Sequence, residues 1–204
     1  MKKKVAIIDY GIGNTLSIQR ALKFLKINSI ITNKTRIINN CSHLILPGVG
    51  SFSSAMTLLH KTKMDIVLKN FAKSGKPLLG ICLGMQLLFD ASEEFGRFEG
   101  LGLIPGVVKK INLKNVNTPN VGWFKIQVQK KNRLLKKFNN EYMYFTHSFE
   151  CLPLSKNTVS SKYQIGKHYI NCSVQDKNIL GVQFHPEKSY YQGIEILNKF
   201  YSLS

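Results

Sequence analysis

Cys82 lies between Gly80 and Gly84, where an apolar strand is followed at once by a helical pattern that runs through Phe89. The flanking glycines allow a tight turn, so we expect Cys82 in an exposed, strained position at the start of a helix. The free N–H groups and the positive end of the helix dipole favour a thiolate over a thiol. Because a thiolate attacks carbonyl carbon, Cys82 is a candidate nucleophile.

A cysteine nucleophile needs a base, and the base needs a group that orients it. His185 ends an apolar strand in the segment GVQFHPEKS, and Pro186 favours extended backbone there. Side chains two residues apart on extended backbone share a face, so Glu187 can hold one ring nitrogen while the other faces the thiol. Beside the Cys82 turn, this pair predicts a Cys-His-Glu site rather than an ordinary strand end.

Acyl transfer also needs hydrogen-bond donors for the oxyanion that it generates. The loop LPGVGSF follows a strand, and Gly48 and Gly50 bracket Val49, so backbone N–H groups can turn inward. The N–H of Leu83, directly after the nucleophile, would complete the oxyanion hole. The alternative for this loop is an ordinary glycine turn after a strand.

The first half of the chain alternates short apolar runs with helical patterns, which is typical of βαβ units. We expect an α/β fold in three layers, with a mainly parallel central sheet, helices on both faces, and additional, partly antiparallel strands in the C-terminal half. The predicted strands are VAIID (5–9), a weak strand near Ile30, LILPG (44–48), the strand into Cys82, VVKKI (107–111), WFKIQV (123–128), YMYFTHSF (142–149), HYINCSV (168–174) and ILGVQF (179–184). The predicted helices cover 15–25, the region through Met56 and Leu59, 66–71, the residues after Cys82, and 192–201.

The 204 residues, 44% of them hydrophobic, suffice for one sizeable core, so we expect a single domain over 1–204. The net charge of +18 makes an anionic partner worth considering. The lysines, however, are spread along the whole chain without an arginine cluster, which favours solvated faces over a nucleic-acid surface. A basic nucleic-acid-binding protein, whose binding would weaken steeply with salt, is therefore a minor alternative.

The four cysteines are widely spaced and none lies near a histidine at zinc-site spacing, so we expect no metal site. The glycine loop DYGIGN has Leu16 where a third glycine would bind a dinucleotide, so we expect no cofactor. The N-terminal apolar run stops at Asp9, short of a signal peptide, and no window predicts a membrane span. We expect a cytoplasmic protein with reduced thiols and no membrane partner.

Several motifs together resemble the triad-type glutamine amidotransferases, which have a Cys-His-Glu site. They are GICLGMQLL, LPGVGSF, the SEE at 92–94, GLGLIPG at 100–106 and GVQFHPEKS. Within this family, the opening DYGIGN, GLGLIPG and the HPEKS ending are similar to the glutaminase subunits of imidazole glycerol phosphate synthase. The resemblance covers the chain nearly from end to end.

The resemblance implies a role for each matching residue. Cys82 attacks the side-chain amide of L-glutamine, His185 protonates the departing ammonia and later activates water, and Glu187 orients the imidazole. Family precedent places the substrate against six further positions: Gly50, Gln86, Glu94 and the backbone around His147, Ser148 and Phe149.

The resemblance also implies a partner, since we expect no second catalytic domain in this chain. In the family the partner is a (βα)₈ cyclase of the HisF type, bound as a heterodimer. It receives ammonia through a channel and makes imidazole glycerol phosphate and aminoimidazole carboxamide ribotide in histidine biosynthesis. Four positions match residues that face this partner: Asn14, Ser17, Trp123 and Lys188. For Trp123, a core position on a strand is the alternative.

One segment departs from the family pattern. Where the family usually reads Pro-His-Met-Gly-Trp-Asn, this chain has Asn120 in place of the histidine and Phe124 in place of the asparagine. Because the segment is expected to face the synthase, the change bears on the ammonia acceptor. The alternative acceptor is a nucleotide-activated sugar that is amidinated for surface polysaccharide. A free-standing cysteine hydrolase that acts without a partner is a further alternative.

Overall fold

The computed structural model describes residues 3–113, 118–129 and 134–203. The strands are β1 (Val5–Ile8), β2 (Ser29–Thr32), β3 (His43–Leu46), β4 (Leu78–Ile81), β5 (Phe89–Ser92), β6 (Phe98–Glu99), β7 (Ile104–Lys110), β8 (Asn120–Val128), β9 (Tyr142–His147), β10 (Phe149–Pro153), β11 (Val159–Ile165), β12 (His168–Asp176) and β13 (Ile179–Val182). The α-helices are α1 (Thr15–Phe24), α2 (Thr35–Asn39), α3 (Phe52–Lys61), α4 (Met64–Lys73), α5 (Leu83–Leu87) and α6 (Tyr190–Ser202). The predicted helices at 15–25, 66–71 and 192–201 correspond to α1, α4 and α6, while α2, β5, β6 and β11 were not predicted.

The central sheet has nine strands in the order β2-β1-β3-β4-β13-β12-β11-β8-β9. Its first five strands are parallel, and β12, β11, β8 and β9 extend it in antiparallel pairs. This arrangement confirms the predicted α/β fold with antiparallel strands in the C-terminal half. A second sheet, in the order β10-β7-β5-β6, lies beside it.

Helices cover both faces of the parallel part of the sheet. Ala6 and Ile8 belong to a buried cluster that includes residues of α3, α4 and α5. Val5 and Ile7, which alternate with them on β1, belong to a second cluster that includes residues of α1 and α6. Each fully buried isoleucine stabilises the fold by roughly 1.5–3 kcal/mol. The continuous apolar strands of the sequence are thus explained by burial on two sides.

The helix after Cys82 is shorter than predicted. It ends at Leu87, and Phe89 begins β5 instead of continuing the helical pattern. The N–H of Leu101 donates to the carbonyl of Leu87, and the N–H of Leu103 donates to that of Leu88. Because the 100–104 segment takes these carbonyls, the helix stops there and the chain enters the second sheet.

The predicted strand at 142–149 is two strands that belong to different sheets. β9 ends at His147 and pairs with β8, whereas β10 begins at Phe149 and pairs with β7. Ser148 joins them, and its carbonyl accepts a hydrogen bond from the N–H of Ile111 at 2.9 Å. The apolar pattern runs through the break, so the sequence does not reveal it.

Candidate active site

Cys82 stands at the carboxyl end of β4, and its backbone is strained. Its φ is 55° and its ψ is −116°, a conformation that non-glycine residues rarely adopt. Its N–H donates to the carbonyl of Val182 at 2.8 Å, which fixes the turn against β13. The predicted strain is present, but the predicted exposure is wrong, because Cys82 is only 7% exposed. The thiol lies in the floor of a cavity rather than on an open surface.

The two glycines around Cys82 make room for this turn. A Cβ on Gly84 would overlap the carbonyl oxygen of Leu46 on β3, and a Cβ on Gly80 would lie 2.6 Å from the carbonyl oxygen of Gly84. Glycine therefore lets α5 start directly against β3 and β4. The first N–H groups of α5 therefore follow Cys82 directly along the chain.

His185 and Glu187 form a buried pair, as their spacing predicted. Nδ1 of His185 lies 2.8 Å from Oε1 of Glu187, and the two side chains are 4% and 0% exposed. Within the described ranges, His185 Nε2 and Glu187 Oε2 are buried without a hydrogen-bond partner. Burial alone would lower the pKa of His185, but interaction with Cys82 and with Glu187 outweighs burial and raises the pKa to about 10. The imidazole of His185 is therefore protonated near pH 7 in this arrangement.

Backbone contacts hold His185 in place. Its N–H donates to the carbonyl of Tyr144 at 3.0 Å. The hydroxyl of Ser189 donates to the carbonyl of His185 at 2.6 Å and accepts from the N–H of Tyr144 at 3.0 Å. Ser189 was not recognised from the sequence, although its place in the HPEKS motif is a signal that could have found it.

One cavity of about 270 Å³ brings the predicted catalytic and substrate-binding residues together. Cys82 and His185 line it, together with the six predicted substrate contacts Gly50, Gln86, Glu94, His147, Ser148 and Phe149. Oε2 of Glu94 accepts a hydrogen bond of 2.6 Å from the N–H of Phe52, the first residue of α3. This bond fixes the Glu94 side chain at the wall of the cavity.

The three predicted oxyanion-hole residues lie close together. Val49 and Leu83 line the cavity. Gly48 packs against the start of α5, since a Cβ there would lie 2.8 Å from the nitrogen of Gly84 and 2.9 Å from Cβ of Leu83. A larger residue at position 48 would push the loop away from α5. The placement is compatible with an oxyanion hole, and that role stays a prediction.

A buried hydrogen-bond network fixes His147. Its Nδ1 lies 2.8 Å from the carbonyl oxygen of Phe149, and its Nε2 lies 2.8 Å from the hydroxyl of Tyr163. Because a carbonyl only accepts, Nδ1 carries the proton and Nε2 accepts from Tyr163. Burial lowers the pKa of His147, the bond to Phe149 opposes this shift, and a nearby charge on His185 adds to it, so that the pKa is about 4. The ring is therefore neutral near pH 7.

The two departures from the family pattern, Asn120 and Phe124, both contact Tyr163. Asn120 is 7% exposed, and its amide donates to the hydroxyl of Tyr163 at 2.6 Å. Phe124 packs against Phe145 and Tyr163, with ring centroids 5.9 Å and 5.0 Å apart. Asn120 thus completes the network that holds His147. The effect of these two residues on the choice of ammonia acceptor stays a prediction.

An exposed aromatic rim lies next to the catalytic pair. We define the rim as Trp123, Tyr142, Tyr144, Tyr190 and Lys188. Trp123 is 36% exposed and stacks on Tyr190 with centroids 4.6 Å apart, so the alternative of a core position is wrong. Nζ of Lys188 lies 5.7 Å from the centroid of the Tyr144 ring.

The other two residues expected to face the partner, Asn14 and Ser17, are half-buried at the start of α1. This helix contacts the 3₁₀ turn Pro186–Lys188, which carries Lys188 of the rim. In the described part of the chain, no cluster of three or more His, Cys, Asp or Glu side chains could hold a metal ion. Nor is any helix there both long and apolar enough to cross a membrane.

The fold and the site define the class of protein. The family model for "Glutamine amidotransferase class-I" matches residues 6–202. The solved "Structure of PurLQS from Thermotoga maritima" shares the fold, with a TM-score of 0.75, 17% identity and coverage of 98% of each chain.

Sequence relatives place the chain more narrowly. "Imidazole glycerol phosphate synthase subunit HisH" of Oceanobacillus iheyensis is 44% identical over 96% of this chain and 97% of its own. "Imidazole glycerol phosphate synthase hisHF, chloroplastic" of Arabidopsis thaliana is 40% identical over 96% of this chain and 33% of its own. The chain therefore belongs to the class-I glutamine amidotransferases and, within them, to the HisH subunits.

Proposed function

We propose that this chain hydrolyses L-glutamine to glutamate and ammonia at Cys82, His185 and Glu187. The observation that carries the proposal is that the strained Cys82 and the Glu187-bound ring of His185 line the same cavity. The six positions assigned to the substrate line it too. The cavity is thus suited to hold a small polar amide against the sulfur.

In the first half of the reaction, the Cys82 thiolate attacks the side-chain carbonyl carbon of glutamine. The carbonyl oxygen becomes an oxyanion, for which the N–H of Leu83 and the N–H groups of the Gly48–Val49 loop are the donors. Nε2 of His185 gives its proton to the amide nitrogen, the carbon–nitrogen bond breaks, and ammonia leaves. The product is a thioester on Cys82.

In the second half, His185 is neutral and takes a proton from water as the water oxygen attacks the thioester carbon. The carbon–sulfur bond breaks, glutamate leaves, and the thiolate and imidazolium are restored. One glutamine and one water give one glutamate and one ammonia. Glu187 stabilises the imidazolium and keeps the ring aimed at the sulfur through the bond at Nδ1.

Charge and hydrogen-bonding capacity support an assignment for the substrate contacts. The carboxylate of Glu94 suits the α-ammonium of glutamine, and Gln86 suits an amide. The backbone around His147, Ser148 and Phe149 offers donors and acceptors for the α-amino and carboxylate groups. The network behind His147 holds that backbone in place.

We further infer that the ammonia passes to a separate (βα)₈ cyclase of the HisF type, which makes imidazole glycerol phosphate and aminoimidazole carboxamide ribotide. The HisH names of the relatives support this acceptor over a nucleotide-activated sugar. The match covers one third of the hisHF relative, which leaves room in that chain for a second domain. The exposed aromatic rim supports docking beside the site, because Trp and Tyr are typical interface anchors. Four cysteines without disulfides suit the cytoplasm.

The test measures glutamate release by the purified chain, alone and with the cyclase and its acceptor. We expect weak release alone and much faster release with both additions. Cys82→Ala should abolish it while leaving complex formation intact, whereas Cys41→Ala, which changes a buried cysteine in another part of the core, should keep it. Retained activity in Cys82→Ala refutes the proposal. Turnover of other amides without a partner would instead indicate a free-standing hydrolase.

A further inference from the structure

Gln183 follows β13 directly and is fully buried, with 0% exposure. Its Nε2 lies 3.7 Å from the sulfur of Cys82, within the range of an N–H···S hydrogen bond. Its Oε1 accepts from Nε2 of Gln86 at 3.0 Å. A polar side chain that is buried this completely is expected to satisfy its hydrogen-bonding groups, and both of its contacts lie at the active site.

The direction of the Gln183 amide follows from its two neighbours. A thiolate accepts hydrogen bonds and cannot donate, so the amide nitrogen must face Cys82 and the oxygen must face Gln86. The reversed amide would place an oxygen lone pair against the negative sulfur. Gln86, which lines the cavity, donates from its Nε2 to the Gln183 oxygen, and the Gln183 nitrogen faces Cys82.

The backbone makes the position of this donor rigid. The N–H of Gln183 donates to the carbonyl of Cys172 at 2.9 Å, and the N–H of Cys82 donates to the carbonyl of Val182 at 2.8 Å. β13 and β4 are parallel neighbours, with Val182 paired to Ile81. Gln183 and Cys82 thus follow directly after two adjacent strands that pair in fixed register. The contact between them therefore needs no rearrangement during the reaction.

We propose that Gln183 is a catalytic residue whose amide N–H stabilises the Cys82 thiolate from the side of β13. This inference rests on the proposed role of Cys82 as nucleophile. A hydrogen bond to an ionised acceptor is about twice as strong as one between neutral groups, so the donor favours thiolate over thiol. Gln86 joins this donor to the substrate side of the cavity.

The other titratable groups around Cys82 do not compete with this effect. Burial raises the pKa of Tyr10 and of Cys151, and each also interacts with Cys82. Both are therefore neutral near pH 7, as is His147. The acidic groups are Glu94, which lines the cavity, and Glu187, which is held behind His185. His185 is therefore the cationic side chain beside the Cys82 sulfur.

The test follows the rate of Cys82 alkylation by iodoacetamide against pH in the full chain, with the modified residue identified by mass spectrometry. The midpoint of the wild-type profile is the reference for the variants. Gln183→Met keeps the side-chain volume but removes the donor. We expect it to raise the midpoint by about one pH unit, which is about tenfold less thiolate below the midpoint.

Gln183→Glu is a second variant, which retains the volume and the acceptor for Gln86 but brings an acidic group to the sulfur. Its midpoint should rise at least as far. Gln164→Met is the matched control, because the Gln164 amide binds the carbonyl of Gly166 in a hairpin away from the site. Its profile should match the wild type. Unchanged midpoints in folded Gln183→Met and Gln183→Glu overturn the inference.

The same measurement separates this inference from the proposed function. If wild-type Cys82 reacts like an ordinary thiol and Cys82→Ala still releases glutamate, the proposed function fails. If wild-type Cys82 has a low midpoint that neither Gln183 variant changes, only the role of Gln183 fails.

Discussion

The surroundings of His147 keep its imidazole neutral, and this lowers the free energy of unfolding at low pH. In the folded chain the pKa of His147 is about 4, compared with 6.5 for an unperturbed histidine. Between these two values, the unfolded chain takes up a proton that the folded chain does not. Stability must therefore fall as the pH falls through this window.

We expect this histidine to remove about 3 kcal/mol from the free energy of unfolding between pH 6.5 and pH 4. Above pH 6.5 both states are neutral and the effect vanishes; below pH 4 both are protonated and the cost stays constant. Urea unfolding at several pH values measures the slope. His147→Gln lacks the titration, so the wild type should lose more stability than this variant over the window. Equal losses in both proteins would contradict the assignment.

Tyr163→Phe should weaken glutamine binding more than it slows the chemistry. The change leaves Nε2 of His147 and the amide of Asn120 without their shared partner. We expect a stability loss of about 1–3 kcal/mol and a several-fold higher KM, with kcat changed by less than about threefold. Thermal unfolding and steady-state kinetics with the cyclase measure both effects. Tyr169→Phe, at a half-exposed position on β12, is the control.

Sequence spacing predicts side-chain proximity only where the partners are close along the chain. His185 and Glu187 lie two residues apart on extended backbone, so their contact could be deduced. Tyr163 and Gln183 meet partners that are 16 and 101 residues away. Such contacts depend on strand order and register, which the pattern of apolar residues does not specify.

At the scale of elements, the backbone of α5 packs tightly against that of β3 at Gly84. Gly84→Ala adds one methyl group that overlaps the backbone oxygen of Leu46. Because backbone cannot move aside as a side chain can, we expect a loss of about 3 kcal/mol or more, measured by chemical unfolding. Cys82 should also become more reactive toward bulky alkylating reagents as the turn loosens.

Gly75→Ala is the matched control for the added methyl group. A Cβ there meets no heavy atom within 4 Å, although the backbone has a φ of 77°. The expected cost is therefore only that of left-handed backbone, about 1–2 kcal/mol. A Gly84→Ala protein as stable as Gly75→Ala would show that α5 can shift away from β3.

Two of the elements that the sequence failed to predict lie where two sheets compete for one segment. Phe89 continues the apolar pattern of α5, yet it pairs with Ile104 in the second sheet. The aromatic run at 142–149 has uniform strand propensity, yet Ser148 divides it. Local propensity predicted a strand correctly at 142–149 and a helix wrongly at Phe89. In both segments, tertiary hydrogen bonds decide which sheet the chain joins.

At the scale of the whole molecule, the aromatic rim connects the catalytic pair to the surface. The rings of Trp123 and Tyr144 lie 5.7 Å apart, and those of Tyr144 and His185 lie 6.4 Å apart. A partner that covers Trp123 is therefore connected to His185 through two ring contacts, Trp123 to Tyr144 and Tyr144 to His185. This neighbourhood gives the partner a physical route by which to affect His185.

Trp123→Ala should weaken complex formation with the cyclase by at least tenfold, since buried tryptophans are frequent interface hot spots. Calorimetric titration measures the affinity. Glutamate release at saturating cyclase should recover toward the wild-type value, because Trp123 does not line the cavity. Leu154→Ala, which truncates a side chain that is 80% exposed away from the rim, should bind normally. Normal binding by Trp123→Ala would show that the partner docks elsewhere.

Ser148 gives the molecule a mechanical property. One wall of the glutamine cavity is the point where the chain leaves the large sheet and joins the small one, and the hydrogen bond from His147 to Phe149 spans that joint. Any sliding of one sheet past the other must rotate the peptide groups on either side of Ser148. Crystal forms that differ in inter-sheet spacing should therefore differ in the width of the cavity, even where Cys82 and His185 do not move.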